Sequence, residues 1–150
     1  YTFTCLLLVG ILPDEVSLTL VLSICSHTGH VWEGLECFEA MTRNHGLNPS
    51  LKHYGILLDL LGRVGDFKRI ENLLVRMPVQ MNLAMWLCLL GACSAHGNVE
   101  LAKQAFDNAI KLQPKQTTAY IVMSNIFIDA GLNDNAVDVG NLRQVQACKL

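Results

Sequence analysis

Two clusters of side chains in the sequence are of types that ligate metals: Cys25, His27 and His30, and Cys88, Cys93 and His96. Structural zinc is held by four ligands delivered as two closely spaced pairs, and neither cluster follows that spacing. Gly29 is, moreover, expected to end a helix between His27 and His30. The six cysteines (Cys5, Cys25, Cys37, Cys88, Cys93 and Cys148) include no Cys-x-x-Cys pair, and four of them fall inside apolar helical patterns. They read as free thiols packed as small hydrophobes, the usage of a reducing compartment. There is no Gly-rich phosphate loop and no nucleophile motif. No catalytic residue, cofactor or metal is therefore assigned, and the chain is expected not to be an enzyme.

The chemistry that remains is that of a surface, and composition limits its kind. With 51% hydrophobic residues in 150, the chain has ample material for a packed core and no reason to be disordered. Its 11 basic and 13 acidic residues leave a formal charge of −2. That balance implies no strong electrostatic grip on phosphates, so any nucleic-acid specificity must come largely from contacts to base edges. The apolar run from Cys5 to Leu12 is far short of the roughly 20 residues a membrane span requires, and no membrane association is expected. The start, without an initiator Met or a basic leader, reads as a cut inside a longer protein.

The elements that position such a surface are written in a repeat. Four blocks share one plan: Cys25-Ser-His-Thr-Gly29, Leu61-Gly-Arg-Val-Gly65, Cys93-Ser-Ala-His-Gly97 and Phe127-Ile-Asp-Ala-Gly131. The closing glycines lie 36, 32 and 34 residues apart, and 11 residues before each stands a bulky residue, Leu18, Tyr54, Trp86 or Tyr120. A period of this length with helical patterning marks stacked helix-turn-helix units. Recurrence alongside Leu18 makes Trp86 and Tyr120 core residues rather than base-stacking platforms.

Each unit divides at its glycine. The first helix carries apolar residues at helical spacing, as in Leu18, Val21, Leu22 and Cys25 or Tyr120, Met123, Ile126 and Phe127. The glycine supplies a left-handed end, and Asp66 or Asn98 directly after it is placed to cap the next helix. The second helix is clearest over 99–112, where Ala102, Ala105, Phe106, Ala109 and Ile110 form one apolar stripe. Pro49, Pro78 and Pro114 stop the second helices. The spacing predicts helices over 16–27, 31–44, 51–63, 66–76, 83–95, 98–111, 117–129 and 134–146, the last interrupted by Gly140. A local strand-like alternation over Val16 to Ile24 is outweighed by its place in the repeat. The expected fold is an all-α solenoid.

These blocks resemble a known family. Leu-Asp-Leu-Leu-Gly-Arg-Val-Gly (58–65), Met-Pro-Val (77–79), Trp86, Leu-Leu-Gly-Ala-Cys (89–93), His-Gly-Asn-Val-Glu-Leu-Ala (96–102) and Leu-x-Pro (112–114) are similar to the C-terminal end of plant pentatricopeptide repeat (PPR) proteins of the PLS subclass. Pro13-Asp-Glu-Val, Cys-Ser-His-Thr-Gly (25–29) and Glu-Gly-Leu-Glu-x-Phe (33–38) resemble the long repeat before it. The resemblance covers roughly residues 11–135. It implies a right-handed α-solenoid of PPR/TPR-like repeats: 1–14 the remnant of a preceding repeat, 15–50 a long repeat, 51–82 a short one, 83–116 a TPR-like E-type repeat and 117–150 a second, degenerate E-type repeat. Tyr1 to Leu12 and the stretch after Asp134 depart from the family pattern. The zinc deaminase domain that some relatives append is not represented, and no His here is followed two residues later by Glu.

What the resemblance implies for function is recognition of single-stranded organellar RNA, one base per repeat, with no DNA partner expected. Transferred residue by residue, the base-facing pairs are Thr19 with Ser50 and Gly55 with Asn82, while Asp14 closes a pair whose other member is missing. The hydroxyls of Thr19 and Ser50 give a weak lean towards purines, and Gly55 leaves Asn82 to act alone. Residues 83–150 are expected to bind protein components of an editing complex, and the location to be a mitochondrion or chloroplast, the mitochondrion favoured. The competing class is a TPR-like protein-interaction scaffold without RNA binding of its own, motivated by the acidic balance and the register at 83–116.

Overall fold

A computed structural model describes residues 14–149, and within them the regular structure is eight α-helices without a strand. They are α1 (Glu15–Thr28), α2 (Val31–Asn44), α3 (Leu51–Val64), α4 (Phe67–Arg76), α5 (Leu83–His96), α6 (Val99–Leu112), α7 (Thr117–Asp129) and α8 (Asn133–Ala147). Each lies within a residue or so of its expected span, and the strand-like alternation at Val16 to Ile24 is absorbed into α1. Cys5 and the expected repeat remnant before Asp14 lie outside the described residues.

The turns follow one rule. In each hairpin the residue after the glycine donates its backbone N–H back to a carbonyl five residues earlier: His30 to Cys25 (3.1 Å), Asp66 to Leu61 (3.0 Å), Asn98 to Cys93 (3.1 Å) and Leu132 to Phe127 (2.8 Å). Such six-to-one closure needs a left-handed residue before the donor, and Gly29, Gly65, Gly97 and Gly131 all have φ of 74° or 75°. The side chains of Asp66 and Asn98 then cap the second helices, accepting from the N–H of Arg69 (3.2 Å) and Leu101 (3.1 Å). At the start of α1, Asp14 accepts from the N–H of Ser17 (2.7 Å) while Ser17 Oγ accepts from that of Asp14 (2.8 Å). The Ser17 N–H holds the Asp14 carboxyl below the usual carboxylate range.

The chain divides into two compact units, one ending at Val79 and one beginning at Gln80. In the N-terminal unit α1 packs on α2 and α3, α2 on α3, and α3 on α4. The core there is built from Leu18, Leu22, Met41, Leu57, Leu58, Leu60, Leu61 and Ile70, all essentially sealed from solvent. The C-terminal unit repeats the scheme, α5 packing on α6 and α7, α6 on α7, and α7 on α8. Within each unit, successive first helices lie side by side, as in a solenoid. Leu18, Tyr54 and Tyr120 are buried as expected, but Trp86 is only half-buried, a correction to its reading as a core residue. Large aromatic rings are rarely enclosed completely, and the indole keeps part of its surface in solvent where the smaller Leu18 has none.

Helix α8 buries only Val139 and runs uncapped at its first turn. Gly140 lies inside it, where an added Cβ meets nothing within 4 Å. Gly140→Ala is therefore expected to stabilise the C-terminal unit by about 0.5–1 kcal/mol, through the backbone entropy that glycine surrenders in a helix. Chemical unfolding of the variant checks this, and a lower midpoint would contradict it.

Candidate nucleic-acid interface

Helices α1 and α3 are the first helices of consecutive hairpins, and their contact leaves two shallow hollows along one seam. The first, of ≈ 220 Å³, is lined by Glu15, Val16 and Thr19 of α1, by Lys52 and His53 of α3, and by Ser50 just before α3. The second, of ≈ 320 Å³, is lined by Ser23, Ser26 and His27 of α1 and by Lys52, Gly55, Ile56 and Asp59 of α3. Thr19, Ser23 and Ser26 fall on one face of α1 because helical residues three and four apart are neighbours. Lys52 borders both hollows.

Thr19 and Ser50, distant in sequence, are thus brought together, and the side chain that joins them is His53. Its Nε2 lies 2.9 Å from Thr19 Oγ1 and 3.0 Å from the Glu15 carbonyl. Its Nδ1 accepts from the Ser50 N–H at 3.0 Å and lies 3.1 Å from Ser50 Oγ. Thr19 also donates its hydroxyl to the Glu15 carbonyl at 2.8 Å. Thr19 is half-buried and Ser50 exposed, whereas only 2% of His53 reaches solvent. Gly55 lies one helical turn further along the seam, in the second hollow, and brings no side chain to it. There Ser26 donates to Asp59 Oδ2 at 2.6 Å, and Arg63 Nε reaches the same oxygen at 3.1 Å.

Asn82 belongs to the C-terminal unit and is the N-cap of α5, its Oδ1 accepting from the Met85 N–H at 2.9 Å. Asp14 and Ser50 stand at the corresponding places before α1 and α3. The residues that the family resemblance makes the last of a repeat therefore stand as the N-caps of the next helices.

Sequence reasoning passed over His53, Ser23, Ser26, Lys52 and Asp59. A signal for His53 was present: it stands three residues after Ser50, the place from which a side chain reaches back to the N-cap amide. The metal-type clusters separate by burial. Cys25 lies in the core while His27 and His30 are exposed. Likewise Cys93 is buried and His96 exposed, with Cys88 between these extremes. Burial pushes the Cys37 and Cys93 thiols up to about 12, so both stay protonated near neutrality, unlike a metal-binding or nucleophilic thiolate. Among the described residues no group of three or more His, Cys, Asp or Glu is placed to hold a metal ion. Nor is any helix there long and apolar enough to cross a membrane.

Repeated helical hairpins whose first helices line a polar seam define a helical-repeat protein. The PPR repeat family matches residues 16–45 and 84–112. A pentatricopeptide repeat-containing protein of Arabidopsis thaliana is 44% identical over 119 residues, 79% of this chain and 20% of that protein. A second from the same plant is 38% identical over 148 residues, 99% of this chain and 23% of that protein. Further Arabidopsis relatives are named as chloroplastic in one case and mitochondrial in another. The crystal structure of the pentatricopeptide repeat protein PPR10 from maize superposes with a TM-score of 0.74 at 23% identity, over 96% of this chain and 21% of that one. The chain is a pentatricopeptide repeat protein. It spans about a fifth of the length of the curated relatives it matches.

Proposed function

We propose that this chain is an RNA-binding part of an organellar PPR protein, and that the seam between α1 and α3 receives single-stranded RNA. The observation that carries the reading is the convergence of Thr19 and Ser50 on one hollow, with Gly55 one step along the same seam. Small hydroxyl side chains lining a shallow hollow suit hydrogen bonding to a base edge. Thr19 with Ser50 forms the discriminating pair. Gly55 brings no side chain to the seam, and Asn82 Oδ1 is engaged as a cap, so little base preference is expected from either position. Relatives named as chloroplastic and mitochondrial support an organellar location.

Lys52 supplies positive charge between the two hollows, against Glu15 in one and Asp59 in the other. A near-neutral groove of this kind binds through few phosphate contacts, so affinity falls only gently with salt. In titrations of the chain against single-stranded RNA pools, Thr19→Ala is expected to flatten base preference at one position. Lys52→Ala should instead weaken all sequences alike, by up to about tenfold, and reduce the slope of log affinity against log salt by about 0.7, the value of one phosphate contact. Base preference unaltered by Thr19→Ala would count against the seam as the reading surface.

Residues 83–150 are proposed to form the E-type part of a PLS-subclass protein acting in C-to-U editing, where they bind protein components of the editing complex. The exposed Ile128, Val137, Leu142 and Val145 support a protein partner for this unit, since they offer apolar surface rather than base-edge chemistry. A chain that ignores RNA at both low and physiological salt, yet retains a purified editing-complex component, would replace the RNA reading by the scaffold one.

A further inference from the structure

Tyrosines and cysteines aside, the buried polar side chains among the described residues are Ser26 and His53, and both ring nitrogens of His53 are engaged. The engagement has a direction. The Ser50 backbone N–H is only a donor, so Nδ1 meets it with a lone pair and the ring proton of the neutral imidazole sits on Nε2. That N–H faces two acceptors, Thr19 Oγ1 at 2.9 Å and the Glu15 carbonyl at 3.0 Å. Thr19 spends its one hydroxyl hydrogen on the Glu15 carbonyl. Its oxygen accepts from His53, and one lone pair is left for the hollow.

We infer that His53 is a positioning residue for base recognition: it holds Thr19 and Ser50 at one end of the groove and presents Thr19 as a hydrogen-bond acceptor. The ligand it selects is a base that offers an N–H group to Thr19, and a base that offers a carbonyl oxygen or bare ring nitrogen at that point is rejected. This rests on the RNA-reading role proposed above. Burial sharpens the arrangement, because an imidazole sealed from water keeps only the Glu15 carbonyl as acceptor if Thr19 rotates away, losing one of the two contacts that fix its place. The two hydroxyls are thereby pre-organised before RNA arrives, so a discriminating contact does not depend on ordering two free rotors.

The test is a double-substitution cycle on base preference. His53→Asn keeps an oxygen that can reach the Ser50 amide from the third position of α3, as capping boxes do, but is too short to touch Thr19. Thr19→Val keeps the shape of Thr19 and removes its oxygen. Dissociation constants for a short single-stranded RNA carrying the preferred base, and for its three single-base variants, are measured for the chain, both variants and the double variant. Each single substitution is expected to shrink the preference about five- to tenfold, the scale of one hydrogen bond, and His53→Asn should shrink it no further once Thr19→Val is present. In the unmodified chain, nitrogen-15 NMR of His53 should report the Nε2–H tautomer.

Loss of preference in Thr19→Val but not in His53→Asn would overturn the positioning role and leave the RNA reading standing. Equal losses from His53→Asn with and without Thr19 Oγ1 would overturn it too, as would an Nδ1–H tautomer. A chain with no base preference, or one whose preference survives Thr19→Val, would overturn the reading of this seam and the inference with it.

Discussion

Gly34→Val is expected to destabilise the N-terminal unit by about 3 kcal/mol, the upper range for an overpacked core. Gly34 is buried in α2 where that helix crosses α1 and α3. A Cβ built there stands 2.7 Å from Leu60 Cδ2 and 3.2 Å from Cys25 Cβ. Leu60 ends in a flexible branch, but none of it is exposed, so swinging it aside only moves the clash to its neighbours. Cys25 Cβ is fixed to its backbone and cannot yield without shifting α1. Valine adds two methyls to this contact and loses rotamer freedom in a helix besides. Gly34→Ala should cost less, about 1 kcal/mol, because alanine's helix propensity offsets part of the crowding. Urea unfolding followed at Trp32, with Trp86→Phe as background, isolates the unit. Combining Gly34→Ala with Leu60→Ala should cost less than the two separate losses together, by about 1 kcal/mol, since the second change vacates the space that the first needs. Strict additivity, or a stabilised Gly34→Ala, would contradict the packing account.

The second large effect is expected in the C-terminal unit. Tyr120 is 2% exposed, meets the Phe106 ring edge-on at 5.4 Å and 81°, and donates its hydroxyl to the Pro114 carbonyl at 2.6 Å. Tyr120→Ala removes the ring and leaves a cavity between α6 and α7, at a cost of about 3–5 kcal/mol. Tyr120→Phe removes only the hydroxyl, costs about 1 kcal/mol and separates the bond from the packing. A unit of this size has a stability on the order of 5 kcal/mol, so the alanine variant should be largely unfolded in modest urea. Trp86 emission in a Trp32→Phe background reads this directly. A midpoint within experimental error of the parent would show that Tyr120 is not the anchor its burial implies.

How much of this was legible in the sequence follows from the range of the forces involved. Glycine turns, caps and apolar stripes act over a few residues, so the four Gly blocks located every hairpin and Asp66 and Asn98 announced their capping role. Trp86 misled because recurrence with Leu18 conveys register but not how much of so large a ring its neighbours can cover. The tight approach at Gly34 was invisible, since it depends on Leu60 and Cys25 arriving from two other helices. The candidate site divides in the same way. Thr19, Ser50, Gly55 and Asn82 came from resemblance, and their spacing alone gave no reason to single them out. His53 was missed because its two roles meet only in space: the Ser50 amide is local, but Thr19 belongs to the preceding hairpin. The engagement of Asn82 Oδ1 with Met85 was likewise hidden, although Asn before an apolar helix is a familiar start signal.

Asp14, Ser50 and Asn82 each stand one residue before a helix, at the positions the family resemblance makes the last of a repeat. Helix starts favour aspartate, asparagine, serine and threonine, because a short side chain with an oxygen can satisfy the first amides. These are also the side chains with a compact donor or acceptor to offer a base. If the position reads RNA, its alphabet was narrowed by folding before recognition acted on it, and a change of letter there is also a change in how firmly the next helix begins. Within the favoured set, specificity can drift without loss of stability. Outside it, a new preference would arrive only together with a weakened hairpin, which confines the recoding of such arrays to a few neighbouring side chains.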